Sequence, residues 1–146
     1  MAGRQTRMAM TWNGDEFKAR ARNAVNIAAG KGAVELQNQM KANITLPYPP
    51  ASKPGESPRR RTGNLRRSVQ VALLGDGRAR VGTNVKYGRW LEFGVIGKIL
   101  PRPWAYKAKV MAEAKVKARV RRVFFAELFR AGASAAGLTT TREGRE

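Results

Sequence analysis

The chain contains no cysteine and no histidine. The first absence excludes disulfides and thiolate metal sites. Together the two remove the ligands from which most zinc, iron and copper centres are built. They also remove the side chain that most often carries general acid–base chemistry near neutral pH. Carboxylates are scarce: ten Asp and Glu stand against 29 Lys and Arg, a formal net charge of +19 in 146 residues. No two of the ten lie at a spacing that suggests a catalytic pair. An enzyme built from this sequence would have to work with Ser, Thr, Tyr, Lys and scattered carboxylates, and neither a metal ion nor a cofactor is expected. No apolar run approaches the roughly 18 residues of a membrane-spanning helix, so no membrane partner is expected. The stretch from Met1 to Met10 has two arginines but lacks the apolar segment of a secretory leader.

What remains is a chain of one-domain length, 42% hydrophobic, with a large excess of positive charge. A surface so charged repels itself unless a polyanion lies nearby, and nucleic acid is the commonest one.

Residues 1–11 read as a flexible basic arm, residues 12–130 as one folded domain and residues 131–146 as a loose tail. Asn13 or Asp15 suits a helix start, with acidic residues early where the helix dipole favours them. From Phe17 to about Ile44 the apolar residues Phe17, Ala21, Ala24, Ile27, Ala28, Val34 and Met40 recur at helical spacing. Gly30 and Gly32 weaken the middle by about 1 kcal/mol each relative to alanine, which predicts a kink or a close helix contact there. The stripe is thin and alanine-rich, so it should pack closely on a sheet or a neighbouring subunit.

Residues 46–62 cannot be helix or central strand, because five prolines between Leu46 and Pro58 fix φ and remove donors. They form an extended loop of polyproline character that runs into Arg59, Arg60, Arg61, Arg66 and Arg67. Two strands follow, from Ser68 to Leu73 and from Arg78 to Thr83, joined at Gly75-Asp76-Gly77. The aromatic stretch Tyr87 to Gly94 reads as a short helical turn. Trp104 to about Arg130 reads as a second long helix. Ala112, Val116, Val120, Val123, Phe124 and Leu128 form its apolar arc, and Lys115, Arg119 and Arg122 share the opposite side.

Arginine's planar fork suits phosphate oxygens, and no base-reading motif surrounds the run at Arg59 to Arg67. The run is either a solvated loop, a sequence-independent contact to DNA, or a set of pairs with carboxylates of another subunit. The basic side of the last helix reads first as a solvated face, with DNA or an acidic partner as the alternative that the total charge favours. Tyr87, Trp90, Phe93 and Trp104 suggest core packing in preference to base stacking. Glu92 lacks a catalytic partner and is expected to form an ion pair with an arginine, within the subunit or between subunits. Gly75, Gly77 and Gly82 fit turns and a strand, not a phosphate-binding loop.

Three ordered pieces carry a resemblance. Tyr48-Pro49-Pro50-Ala51-Ser52-Lys53-Pro54-Gly55 leads to Thr62-Gly63-Asn64-Leu65-Arg66. Val81 to Tyr87 leads to Leu91-Glu92-Phe93-Gly94. Arg102-Pro103-Trp104 opens the last helix. Over about residues 10 to 128 the chain resembles the small neck and tail-completion proteins of long-tailed phages, also described as minor-tail or head–tail joining proteins. It departs from that pattern at Gly88, where alanine is frequent, and at Val95, where threonine is; both changes should affect a turn.

The resemblance implies an α+β fold, a small antiparallel sheet packed by long N-terminal and C-terminal helices. It implies a non-catalytic virion protein at the neck, assembled in the host cytoplasm. There it would form a homo-oligomeric ring, a hexamer by preference, with other neck, connector and tail proteins around double-stranded DNA. It assigns structural roles to Thr62, Gly63, Leu65, Tyr87, Leu91, Glu92, Phe93, Gly94, Pro103 and Trp104. The main competing reading is a stand-alone basic protein that binds nucleic acid without sequence preference. A third, a nucleic-acid enzyme, would rest on Glu92 or Asp76.

Overall fold

The computed structural model describes residues 14–135, and side chains through residue 130. The expected arm over residues 1–11 and residues 136–146 of the expected tail lie outside the described residues; residues 131–135, expected to open that tail, instead continue the last helix.

Helix α1, Gly14–Asn43, has Asp15 and Glu16 in its first turn and Lys41 in its last, each matched to the dipole at its end. Its 30 residues span about 45 Å. Helix α4, Ala105–Ala135, runs antiparallel to it: the Asn43 Nδ2 at the end of α1 donates to the Trp104 carbonyl at the start of α4 (3.1 Å). The two helices meet through small residues. Ala24, Ala28, Gly32 and Ala33 are buried on α1, and Ala108 and Ala112 on α4. The approach is closest at Gly32. A Cβ there would lie 2.5 Å from Val120 Cγ2 and 3.4 Å from Val116 Cγ1. The expected close contact in the glycine region is therefore found, at Gly32.

Strands β1, Val69–Gly75, and β2, Arg78–Thr83, form a two-stranded antiparallel hairpin with Val69 opposite Thr83 and Val71 opposite Val81. Asp76 and Gly77 make the turn, both at positive φ (48° and 70°), as the tight hairpin twist requires. An isolated hairpin is marginal in water, and this one lies on α1. Gln37 Nε2 donates to the Val69 carbonyl (2.8 Å) and Gly77 N to Asn26 Oδ1 (2.7 Å). Helix α1 thus packs on both α4 and the hairpin, and the whole is an α+β arrangement.

The core lies where the elements converge. Met40, Ile44, Leu65, Val69, Trp104 and Ala108 are buried together, with Leu36, Val81, Leu91 and Ala105 packed around them. Among the described residues no helix is long and apolar enough to cross a membrane.

Several expectations need correction. Phe17 and Val34, placed on the buried stripe of α1, are 45% and 43% exposed. The stripe narrows to alanine, glycine and Met40 because α4 approaches too closely for larger side chains at the crossing. The arginine run does not stay irregular: Asn64–Ser68 is a short helix, α2, so Ser68 precedes the strand that begins at Val69. The aromatic stretch is helical, as expected (α3, Lys86–Phe93), but its aromatics do not close the core. Trp104 is 3% exposed, whereas Trp90 and Phe93 are 49% and 76% exposed. Gly88 and Leu91 occupy the inner side of α3, and residues two and five positions beyond Gly88 fall near the opposite side at 100° per residue. Gly88 itself sits inside a helix. A Cβ there would meet Thr83 Cγ2 at 2.8 Å and Leu65 Cδ1 at 2.9 Å, so the departure at this position bears on packing and not on a turn.

Candidate functional site

The segments that carry the resemblance converge at the end of α1, around an open cleft of about 620 Å³. The proline-rich segment forms one wall. It leaves α1 and returns, and its ends pair through Arg60 N to Leu46 O (2.8 Å) and Tyr48 N to Arg60 O (3.1 Å). It is also held to the strand of chain before α4: Gly55 N donates to Pro101 O (2.9 Å) and Arg102 Nε to Ser52 O (3.2 Å). A loop anchored at both its ends and its middle presents its arginines in fixed places.

Helix α2 forms the second wall. Gly63, at φ 79°, precedes it in a left-handed conformation that glycine adopts without strain. Successive residues of a helix point 100° apart, so the neighbours Leu65, Arg66 and Arg67 separate. Leu65 enters the core, and Arg66 lines the cleft. Arg67 turns back, its Nη2 donating to Asn64 Oδ1 (2.6 Å) and the Thr62 carbonyl (3.3 Å). Ile44, Leu91 and Tyr87 also line the cleft.

Arg59, Arg60, Arg61, Arg66 and Arg102 all line this space, and no Asp or Glu does. Arg61 lies over the Tyr48 ring, 4.9 Å from its centroid, and Arg59 Nη1 reaches the Pro47 carbonyl at 3.5 Å. None of the five forms an ion pair among the described residues. The Nε atoms of Arg59 and Arg66 are buried and lack any hydrogen-bond acceptor. A buried donor without a partner costs about 1–3 kcal/mol, and more when charged. The cleft therefore holds concentrated, incompletely satisfied donor capacity.

Of the expected contact residues, the structure brings Arg59, Arg60, Arg61 and Arg66 together and separates Arg67 from them. Lys115, Arg119 and Arg122 stand elsewhere, with Arg121, Glu35 and Phe125 around a shallower depression beside α1 and α4. Arg102 was not singled out by sequence reading; the signal was its place in the Arg102-Pro103-Trp104 piece.

Glu92 corrects another expectation. It does not pair with an arginine among the described residues. Its carboxylate accepts from Trp104 N (2.8 Å), Ala105 N (2.9 Å) and Tyr106 N (2.8 Å). It thus satisfies three free N–H groups at the start of α4 and places negative charge at the positive end of the helix dipole. Trp104 adds a bond from Nε1 to the Gly88 carbonyl (3.1 Å). Gly94, at φ 75°, leaves room that a Cβ would take from the Ile99 carbonyl, 2.8 Å away. Among the described residues no cluster of three or more acidic, cysteine or histidine side chains is placed to hold a metal ion.

Comparison with known proteins adds one family. Residues 10–94, more than half of the chain, match the HK97-gp10-like family model, described as "Bacteriophage HK97-gp10, putative tail-component". No curated protein and no solved structure matches the chain. The matched span contains α1, the proline-rich loop, α2, the hairpin and α3, and hence most of the cleft. The chain belongs to the HK97-gp10-like family and is a structural component of a bacteriophage tail.

Proposed function

We propose that this protein is a ring-forming neck or tail-completion subunit that joins head to tail around the DNA channel. The observation that carries the reading is the cleft. It is built from the family's own segments, walled by arginines, and without an internal carboxylate. Catalysis needs none of this, but assembly between subunits does, since a neighbour supplies what the isolated subunit lacks. The apolar surface supports the same reading. The turn after α3, closed by Val95 N to Ile99 O (2.8 Å), carries Ile96 fully exposed at its tip, with Phe93 and Leu100 exposed on either side. Exposed large apolar residues of this kind mark surfaces that a partner covers.

The ring is a homo-oligomer, a hexamer by preference, held in the virion between other neck, connector and tail proteins. The folded domain of each subunit comprises α1 through α4 with the loop and hairpin between them. Lys115, Arg119 and Arg122, together with arginines of the loop and α2, face either the DNA channel or adjoining subunits. Contact with DNA is to the phosphates, insensitive to sequence and weakened by salt.

Imaging of purified particles tests this directly. The expected result is symmetric density for the chain at the junction of capsid and tail. Its absence there would end the proposal. Light scattering on the chain eluted from a sizing column at high salt separates the competing reading: a monomer that binds duplex DNA tightly, with no place in the particle, is a stand-alone nucleic-acid-binding protein.

A further inference from the structure

The cleft offers two things at once: a wall of guanidinium groups and an apolar lining. A duplex backbone presents phosphates and sugars on a convex surface, and it has no use for an apolar recess such as the one beside Tyr48, Tyr87 and Leu91. A peptide has use for both. Its carboxylates match the planar arginine fork in a two-bond geometry, and its aliphatic side chains fill the recess. Among the described residues few carboxylates are free to fill it, and Glu35 lies away from it, at the depression with Arg119 and Arg122. Asp15, Glu16, Asp76, Glu113 and Glu127 are each paired with a basic residue at most four positions away. Glu56 accepts from Lys53 N, and Glu92 caps α4.

We infer that the cleft between the proline-rich loop and α2 is a socket for a short acidic peptide segment, carrying at least one aliphatic side chain, of an adjoining virion protein. Its carboxylates pair with the part-buried guanidinium groups of Arg59 and Arg66, whose Nε atoms meet no acceptor within the subunit. Arg60 and Arg61, exposed at the mouth, attract it and release it as salt rises. Duplex DNA is then left to other basic surfaces. The inference rests on the assembly reading, yet the two fail separately: the socket is tested on the isolated subunit, the ring in the particle.

The experiment uses the full chain and fluorescence anisotropy. The probes are a fluorescein-labelled peptide of four glutamates and two leucines, a labelled peptide of six glutamates, and a labelled duplex of about 20 base pairs. The variant Arg59→Gln/Arg66→Gln empties the socket of its inner donors. Should that pair disturb folding by circular dichroism, Arg60→Gln/Arg61→Gln replaces it at the exposed mouth. Arg22→Gln/Arg80→Gln removes the same charge outside the cleft. The mixed peptide should bind more tightly than the all-glutamate one. It should weaken about tenfold or more in the cleft variants and no more than about twofold in the control. Duplex binding should fall about equally in both. Equal loss of the peptide in cleft and control variants would overturn the inference, as would no binding of the peptide at all. Selective loss of the duplex in the cleft variants would also overturn it, and would assign the arginines to phosphate.

Discussion

Gly32 sits at the closest approach of α1 and α4, and replacing it with alanine sets two opposing effects against each other. Alanine is the better helix former by about 1 kcal/mol, which favours the variant. The new Cβ, however, would lie 2.5 Å from Val120 Cγ2. Carbon atoms pack best at about 3.5–4.0 Å, so the helices must separate by about 1 Å or Val120 must rotate. A valine in a helix has essentially one χ1 rotamer, which makes rotation costly. Overpacking of this kind costs about 1–3 kcal/mol. The net expectation is a loss of about 1 kcal/mol, rising to about 2 if the backbone cannot shift. Gly30, two residues earlier, provides the contrast. A Cβ there meets only the end of the exposed Leu73 side chain, at 3.4 Å, and Leu73 is free to move. Gly30→Ala should therefore stabilise by about 0.5–1 kcal/mol. Thermal unfolding followed by tryptophan fluorescence would read both, with Tm values about 8 °C apart at about 4 °C per kcal/mol. Val120→Ala removes the obstructing methyl groups. The double variant Gly32→Ala/Val120→Ala should lose less than the sum of its parts, by about 1 kcal/mol or more. A Gly32→Ala protein as stable as Gly30→Ala, or a pair that simply adds, would refute the close-crossing account.

Three further outcomes follow from the site. Glu92→Ala should destabilise by about 2 kcal/mol, through loss of a cap and of a charge at the start of α4. Glu92→Gln should lose roughly half as much, because one oxygen still accepts; equal stability of both variants and the parent by urea titration would count against the capping role. Trp104→Phe should cost about 1–3 kcal/mol, because it removes the hydrogen bond to the Gly88 carbonyl and leaves space in the core, and thermal unfolding by circular dichroism would measure it. Gly77→Ala should cost more than Asn26→Ala. The first forces a side chain onto Val25 at φ 70°, whereas the second removes one hydrogen bond worth about 1 kcal/mol; protection of the hairpin amides in hydrogen exchange orders them.

The legibility of this fold in its sequence follows a physical line. Both long helices could be read because apolar spacing persists over many turns. The hairpin could be read because Asp76-Gly77 is a strong turn signal between alternating residues. Helix α2 could not. Five residues are too few for a periodic pattern, and the Thr62-Gly63-Asn64 lead-in reads as a turn when taken alone. The exposure of Trp90 and Phe93 was hidden for the reverse reason: aromatic residues suggest a core wherever they occur, and only the facing of α3 decides which of them reach it. Glu92 was misread because charge invites an ionic partner. Its actual partners are backbone N–H groups at Trp104, Ala105 and Tyr106, which no sequence pattern displays. The arginine cluster was visible as a run, but its division into Arg66 inside the cleft and Arg67 outside it depends on α2.

The distribution of charge in the fold is more informative than its total. A solvated basic surface would scatter its cations and let nearby acids moderate them, and α4 shows this pattern with Lys117 beside Glu113 and Arg130 beside Glu127. Such exposed pairs contribute little to stability. The cleft is arranged differently. Five arginines surround one space without a carboxylate, two of them with a buried Nε atom that meets no acceptor. A monomer gains nothing from that arrangement, because like charges held together repel and a buried N–H without an acceptor is unfavourable. The loop that holds it, tied at Leu46, Ser52 and Gly55, keeps the arginines from dispersing into solvent. On the socket reading, contact with an acidic partner segment gives those guanidinium groups the acceptors that the isolated subunit withholds.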